Sequence, residues 1–318
     1  MNLKGSGLIF IWMMLLSFLQ CKRDENIVIN PIDTCSSVPL KDPGAIITAM
    51  PQPVFSEESG LVPYGTKVLL HADSMPDPGI YEMSIDSGRT WKAAECLILP
   101  AKIEVWGRTR YKNVVSSVSK AFYSVYYKRI LIVGNSIMMH GAIPEKNWLG
   151  NWGMAASAPE KDYVHLLSAQ LKELNPDAEI RLMMAVDFEQ NYKNYDFNKV
   201  ADYAAFSPDL VIMRIAENSN LTTLSAYENR YDQLITHLTS KSEVAKVICT
   251  TSFWSSTEEA SWRIRNVARN KGYVLADFGD LTKDKTFAAY SFYQDAGIGS
   301  HPSDKGMKAI AEKIGAQL

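Results

Sequence analysis

The chain has 318 residues, 47% of them hydrophobic and 21% charged, and a formal net charge of −2. That length leaves room for more than one hydrophobic core, and the composition is that of an ordinary globular protein rather than a fibrous or low-complexity one. The even charge balance gives no support to nucleic-acid binding, which is excluded as an expectation.

At the N-terminus, Lys4 precedes an apolar run from Leu8 to Leu19, too short to cross a bilayer core and of the length of a secretory signal. The run ends at Leu19-Gln20-Cys21, and a Cys at that place resembles the lipidation site of a bacterial lipoprotein, although Gln20 stands where a small residue is usual. The expectation is an exported protein with residues 1–21 as a lipoprotein signal peptide and Cys21 as the lipidated residue. The tract Lys22-Arg23-Asp24-Glu25 is similar to those that route some lipoproteins outward. That implies an outer-membrane or cell-surface location, with the periplasm as the alternative and membrane contact through the lipid anchor only. Residues 22–43 are polar and punctuated by Pro31, Pro39 and Pro43, and read as a linker.

From residue 44 to 128 the pattern changes to short β-type runs bounded by turn residues: Thr66–Ala72, Ile80–Ile85, Glu95–Leu99, Ile103–Arg108 and Ala121–Tyr127. This spacing predicts a small all-β sandwich. The stretch from Tyr81 to Trp91, with its Asp86-Ser87-Gly88 turn, resembles the Ig-like modules appended to carbohydrate-active enzymes. Trp91 and Trp106 are expected in its core, since aromatic side chains dominate apolar burial in a small sandwich. Its expected role is that of a spacer or a positioning module.

After Arg129 strands and helices alternate. Strands are expected at Ile130–Val133, Glu179–Met184, Leu210–Arg214, Lys246–Thr251 and Tyr273–Asp277, with helices at Tyr163–Leu174, Ala226–Leu238 and Asp304–Gln317. Alternation of this kind predicts a parallel sheet covered by helices over 129–318. Ser303 is the expected N-cap of the last helix, where Met307, Ile310, Ala311 and Ile314 make one apolar stripe. Cys35 and Cys96 are able to pair in an exported compartment, whereas Cys249 reads as a buried strand residue. The scattered His and Cys residues have no zinc-like spacing, and neither a metal nor a cofactor is expected.

In parallel sheets of this kind, ligands bind beyond the carboxyl ends of the strands. The first strand leads into Gly134-Asn135-Ser136-Ile137, the third into Ile215-Ala216-Glu217-Asn218, and Gly299-Ser300-His301-Pro302 precedes the final helix. Gly134 is expected to permit the sharp turn that presents Ser136. The order Ser, Asn, His on successive strand ends resembles the SGNH (GDSL-like) hydrolase family, and the resemblance covers essentially all of 129–318. It implies a flavodoxin-like three-layer α/β/α domain.

The resemblance implies Ser136 as nucleophile, His301 as its base, and the Ser136 N–H with the Asn218 side chain as oxyanion donors. The family's Gly after the second strand is missing from Met184-Ala185-Val186-Asp187, and Gly153 in the long insert Trp148–Ser157 is its expected substitute. The family's Asp three residues before the His is Ile298 here. Either a backbone carbonyl near Ile298 or Asp295 then holds the His301 Nδ1–H. Trp148, Trp152, Glu189 and Glu217 are candidate substrate-binding residues.

The function so implied is hydrolysis of a short-chain acyl ester, O-acetyl first, on a glycan, through an acyl-enzyme. The alternatives are a lipase or lysophospholipase, and a non-catalytic glycan-binding surface lipoprotein.

Overall fold

The computed structural model describes residues 47–219 and 226–318, so the signal, Cys21, Cys35 and the linker lie outside the described residues. Cys96 is disulfide-bonded, while Cys249 is a buried free thiol. Among the described residues, no helix is long and apolar enough to cross a membrane.

Nine strands make up the first part: β1 (Val54–Phe55), β2 (Gly60–Pro63), β3 (Lys67–His71), β4 (Ile80–Ser84), β5 (Lys92–Ala93), β6 (Cys96–Ile98), β7 (Ile103–Tyr111), β8 (Val114–Val115) and β9 (Ser119–Tyr126). They form a three-stranded sheet, β1-β3-β6, and a larger one, β2-β9-β7-β4-β5, with β8 paired to β7. Side chains alternate between the faces of a strand. Val105 on β7 and Ala121, Tyr123 and Val125 on β9 therefore turn inward, meeting Val68 and Leu70 of β3 and Leu97 of β6 in one buried cluster.

The structure corrects the expectation for the two tryptophans. Trp106, next to the inward Val105, faces out and carries the Lys120 ammonium 3.7 Å from its ring centroid, and Trp91 carries the Arg108 guanidinium at 4.0 Å. Their faces are covered by cations, not by core, as aromatic quadrupoles allow.

The second part holds β10 (Arg129–Gly134), α1 (Tyr163–Leu174), β11 (Glu179–Met184), α2 (Val186–Asn191), α3 (Ala201–Ala205), β12 (Leu210–Met213), α4 (Tyr227–Thr239), β13 (Lys246–Thr250), α5 (Glu258–Lys271), β14 (Val274–Ala276), α6 (Ala296–Gly299) and α7 (Asp304–Gly315). Its five strands lie in the order β11-β10-β12-β13-β14, and every pairing is parallel. The central strands are apolar throughout because both faces are covered. Leu131, Val133, Val211 and Met213 pack under α4 and α5, and Ile130, Ile132, Leu210 and Ile212 pack under α1 and α7.

Two caps fix helix entrances near the site. Asp162 accepts from the His165 N–H at the start of α1, and Ser303 accepts from the Gly306 N–H at the start of α7. Each satisfies a backbone donor that the helix itself leaves open.

Candidate active site

The strand order reverses between β10 and β12, and a crevice opens at such a switch point beyond the strand ends. Ser136 follows one of these strands and Asn218 the other. Asn135 Oδ1 accepts from the Ile137 N–H at 3.2 Å, and the Asn135 carbonyl accepts from the N–H groups of Met138 and Met139. The turn is therefore tied to itself around a half-buried Ser136. Gly134 serves the turn differently from expectation. It is absent from the residues with positive φ, but a Cβ there would stand 2.6 Å from the Met138 Cβ. Close packing of the turn, rather than a left-handed backbone, is what requires glycine.

The Ser136 Oγ lies 2.8 Å from His301 Nε2, and His301 Nδ1 lies 2.8 Å from the Gly297 carbonyl oxygen. A carbonyl only accepts, so Nδ1 carries the proton and Nε2 is left as acceptor for the serine hydroxyl. Burial pulls the imidazole down to about 4, which keeps it in the neutral, proton-accepting form at ordinary pH. The Trp254 ring meets His301 edge to face, with centroids 5.3 Å apart, and its Nε1–H donates to the Ser300 carbonyl at 2.9 Å.

Of the two expected partners for Nδ1, the structure has the carbonyl. Asp295 is the N-cap of α6: its carboxylate accepts from the Ile298 N–H at 3.0 Å and pairs with Lys146 Nζ at 3.2 Å. A carboxylate drawn back onto its own helix start is not available to an imidazole whose Nδ1 is already engaged. Asp295→Ala is expected to keep kcat/KM within about threefold while lowering the thermal midpoint slightly, since a helix N-cap is lost. Parallel assays of ester hydrolysis and thermal unfolding check this, and a hundredfold loss of activity would restore Asp295 as the acid.

Asn218 is half-buried at the end of its strand, and its Nδ2 donates to Glu189 at 2.9 Å. Neither Glu189 nor Glu217 lines a pocket, contrary to the sequence expectation, since both are buried at 0% and 5% exposure. Glu217 is chelated by Arg214 Nη1 at 2.8 and 2.9 Å. It also accepts from Asn135 Nδ2, the Ser252 hydroxyl and the Phe253 N–H. Burial is the largest influence and would raise the Glu217 carboxyl, but the charge and hydrogen bond of Arg214, joined by the Asn135 and Phe253 hydrogen bonds, together hold it below the usual carboxylate range. A buried carboxylate needs such partners, which is why both glutamates sit under the strand ends rather than facing substrate.

The insert is also corrected. The Gly153 N–H donates to Asp162 Oδ2 at 3.0 Å and so is not a free oxyanion donor. Gly153 is glycine because a Cβ would stand 2.7 Å from the Ile137 carbonyl oxygen. The neighbouring Met154 N–H donates to the Ser136 carbonyl at 3.0 Å, so the insert braces the Ser136 turn. Trp148 is 2% exposed and packs on Trp152 and Tyr293. The indole N–H groups of Trp148 and Trp152 are donated to the carbonyls of His140 and Ala156. The two tryptophans form the core of the insert rather than a sugar-stacking wall. Among the described residues, the N–H groups of Ser136 and Val186 remain without a protein acceptor at these strand ends.

Sequence reasoning missed Trp254, Asn135 and Arg214 as parts of the site. Trp254 follows β13 by four residues, so position at a strand end was its available signal. The Asn135 and Arg214 roles depend on the glutamates they meet across the sheet. Among the described residues, no group of three or more His, Cys, Asp or Glu is placed to hold a metal ion.

A cavity of about 830 Å³ lies beside the His301 segment, lined by Ala155, Ser157, Lys285, Tyr290, Phe292 and Asp304 among others. Ser136, Asn218 and His301 are not in its lining. Ala288, one of its lining residues, pairs with Pro302, the residue after His301.

No protein-family model matches the chain, and no curated protein is similar to it. Among solved structures, it is similar to a two-domain esterase (CEX) active on acetylated mannans, at 17% identity and a TM-score of 0.42. That match covers 60% of this chain and 49% of the other, so the chain spans about half of that esterase. It is also similar to a putative GDSL-like lipase from Parabacteroides merdae (17% identity, TM-score 0.41, covering 59% of this chain and 94% of that one). A third is an acetyl xylan esterase, AlAXEase (18% identity, TM-score 0.38, covering 60% and 99%). These likenesses are distant, and the chemistry is read from the chain's own site.

Proposed function

We propose that the chain is a serine ester hydrolase with an SGNH-type site, acting through an acyl-enzyme. The observation that carries this reading is the Ser136 Oγ at 2.8 Å from a His301 Nε2 whose tautomer is set by the Gly297 carbonyl. His301 takes the Ser136 proton as Oγ attacks the ester carbonyl. The tetrahedral oxyanion is held by the Ser136 N–H and an Asn218 amide N–H, and His301 then protonates the leaving alcohol. Water, deprotonated by the same imidazole, releases the acid. A carbonyl on Nδ1 orients the ring as a carboxylate would, with less stabilisation of imidazolium.

The proposed substrate is a short-chain acyl ester, O-acetyl first, on a carbohydrate. The cavity beside His301 supports this, because hydroxyl, lysine and aspartate groups alternate there with the exposed rings of Tyr290 and Phe292. The polar groups offer hydrogen bonds to sugar hydroxyls and the rings offer a stacking face, within a largely apolar lining. The lipidation of Cys21, an outer-membrane or surface location, and an Ig-like spacer belong to the same proposal. Fatty-acid labelling lost in Cys21→Ala tests the anchor.

The full-length chain in mild detergent, assayed on p-nitrophenyl acetate, p-nitrophenyl decanoate and an acetylated oligosaccharide, tests the activity. Preference for the acetyl substrates supports the reading. Preference for decanoate turns it to a lipase, and no hydrolysis of any of the three sinks it.

A further inference from the structure

The buried glutamate of α2 has no part in the steps above, yet its contacts converge on them. Glu189 Oε1 accepts from the Ala216 N–H at 2.7 Å and the Asn218 N–H at 3.2 Å. Glu189 Oε2 accepts from Asn218 Nδ2 at 2.9 Å. Asn135 Nδ2 reaches both oxygens at 3.2 and 3.3 Å, and it also donates to Glu217 at 2.8 Å. Every partner of the carboxylate is an N–H donor. One acceptor thus ties together the strand end bearing Asn218 and the turn bearing Ser136.

A side-chain amide offers a carbonyl on one side and two N–H groups on the other, and its neighbours decide which way it points. Facing a carboxylate, Asn218 must present Nδ2, and one of its N–H groups is consumed there. The other is left to point away from Glu189. We propose that Glu189 is a positioning residue for the esterase reaction, its carboxylate locking the Asn218 amide so that an N–H faces the substrate oxyanion.

This rests on the hydrolase reading and adds a group that never touches substrate. If Glu189 becomes neutral, its O–H finds only donors around it. The simplest repair is a flip of the Asn218 amide, which turns Oδ1 toward Glu189 and takes the N–H from the oxyanion. The charged and titratable groups facing Glu189 are Glu217 and Arg214 after β12 and Tyr227 on α4. Burial, with Glu217 beside it, pushes Glu189 up to about 7. Burial moves His301 the other way, holding it below the usual imidazole range.

The experiment is steady-state hydrolysis of p-nitrophenyl acetate by the full-length wild type, Ser136→Ala, Glu189→Gln, Asn218→Ala and the Glu189→Gln/Asn218→Ala double variant. Glu189→Gln is expected to lower kcat by roughly 10- to 100-fold with KM within about twofold, since an oxyanion donor is worth on the order of 10²–10³. In the Asn218→Ala background the same substitution is expected to cost less than about threefold, because its target is gone. Wild-type kcat should fall as pH drops through about 7.

A kcat unchanged in Glu189→Gln, or an equal loss in both backgrounds, overturns the proposal and leaves the hydrolase reading standing. Wild-type turnover that is absent, or not lost in Ser136→Ala, overturns both. If Glu189→Gln does not fold, Glu189→Asp decides: a loss of kcat with KM held, absent in the Asn218→Ala background, supports the clamp, and an unchanged kcat overturns it.

Discussion

Ser136→Ala is expected to lower kcat/KM for p-nitrophenyl acetate by at least about 10⁴-fold, with the thermal midpoint unchanged. The Oγ is the only atom removed, and Ser136 is half-buried with its one side-chain hydrogen bond to His301. Little packing is lost, so stability stays and nucleophilic attack goes. Residues that act as one unit are not additive. His301→Ala should therefore cost about as much as Ser136→Ala, and the double variant should be no worse than either single one to within about threefold. Steady-state kinetics on the three proteins check this. A double variant several hundredfold slower than both singles would mean that the two side chains act separately, and the acyl-enzyme mechanism would have to be withdrawn.

The second large effect is on stability. Glu217→Ala is expected to cost about 3–5 kcal/mol, because it removes the carboxylate hydrogen-bonded to the buried Arg214. Arg214 is at 0% exposure, and its Nε and Nη2 already lack partners among the described residues. Nη1, bound only to Glu217, is its one satisfied donor nitrogen. Removing the glutamate also strips acceptors from the Ser252 hydroxyl and the Phe253 N–H.

Replacing both partners, as Arg214→Met with Glu217→Leu, should recover a large part of the loss, since an unpaired charge costs more than no charge. Urea denaturation of the two variants measures it. A Glu217→Ala midpoint equal to wild type would show that Arg214 reaches water or another anion.

The parallel sheet was legible in the chain because a strand covered on both faces is apolar at every position. Ile130–Val133 and Leu210–Met213 are such runs, observed as β10 and β12 within a residue or two of expectation. The short elements were not legible. α2 and α3 span 6 and 5 residues, too few for a helical period to declare itself. Trp91 and Trp106 were misjudged for another reason. Both core burial and a cation over the ring satisfy an aromatic side chain, and only the tertiary structure showed which applied.

At the site, the sequence by itself determined which residues stand at the strand ends. Gly134-Asn135-Ser136, Glu217-Asn218 and His301-Pro302 follow or precede elements whose pattern is local, and strand-end position is enough to make them candidates. What each polar group bonds to was decided only by tertiary structure. Asp295 caps its own helix, the Gly153 N–H goes to Asp162, Trp148 turns inward, and Glu189 and Glu217 lie beneath the site. A carboxylate or an N–H takes whichever partner the packed chain brings within about 3 Å, often from many residues away, and hydrophobic periodicity carries no record of that choice.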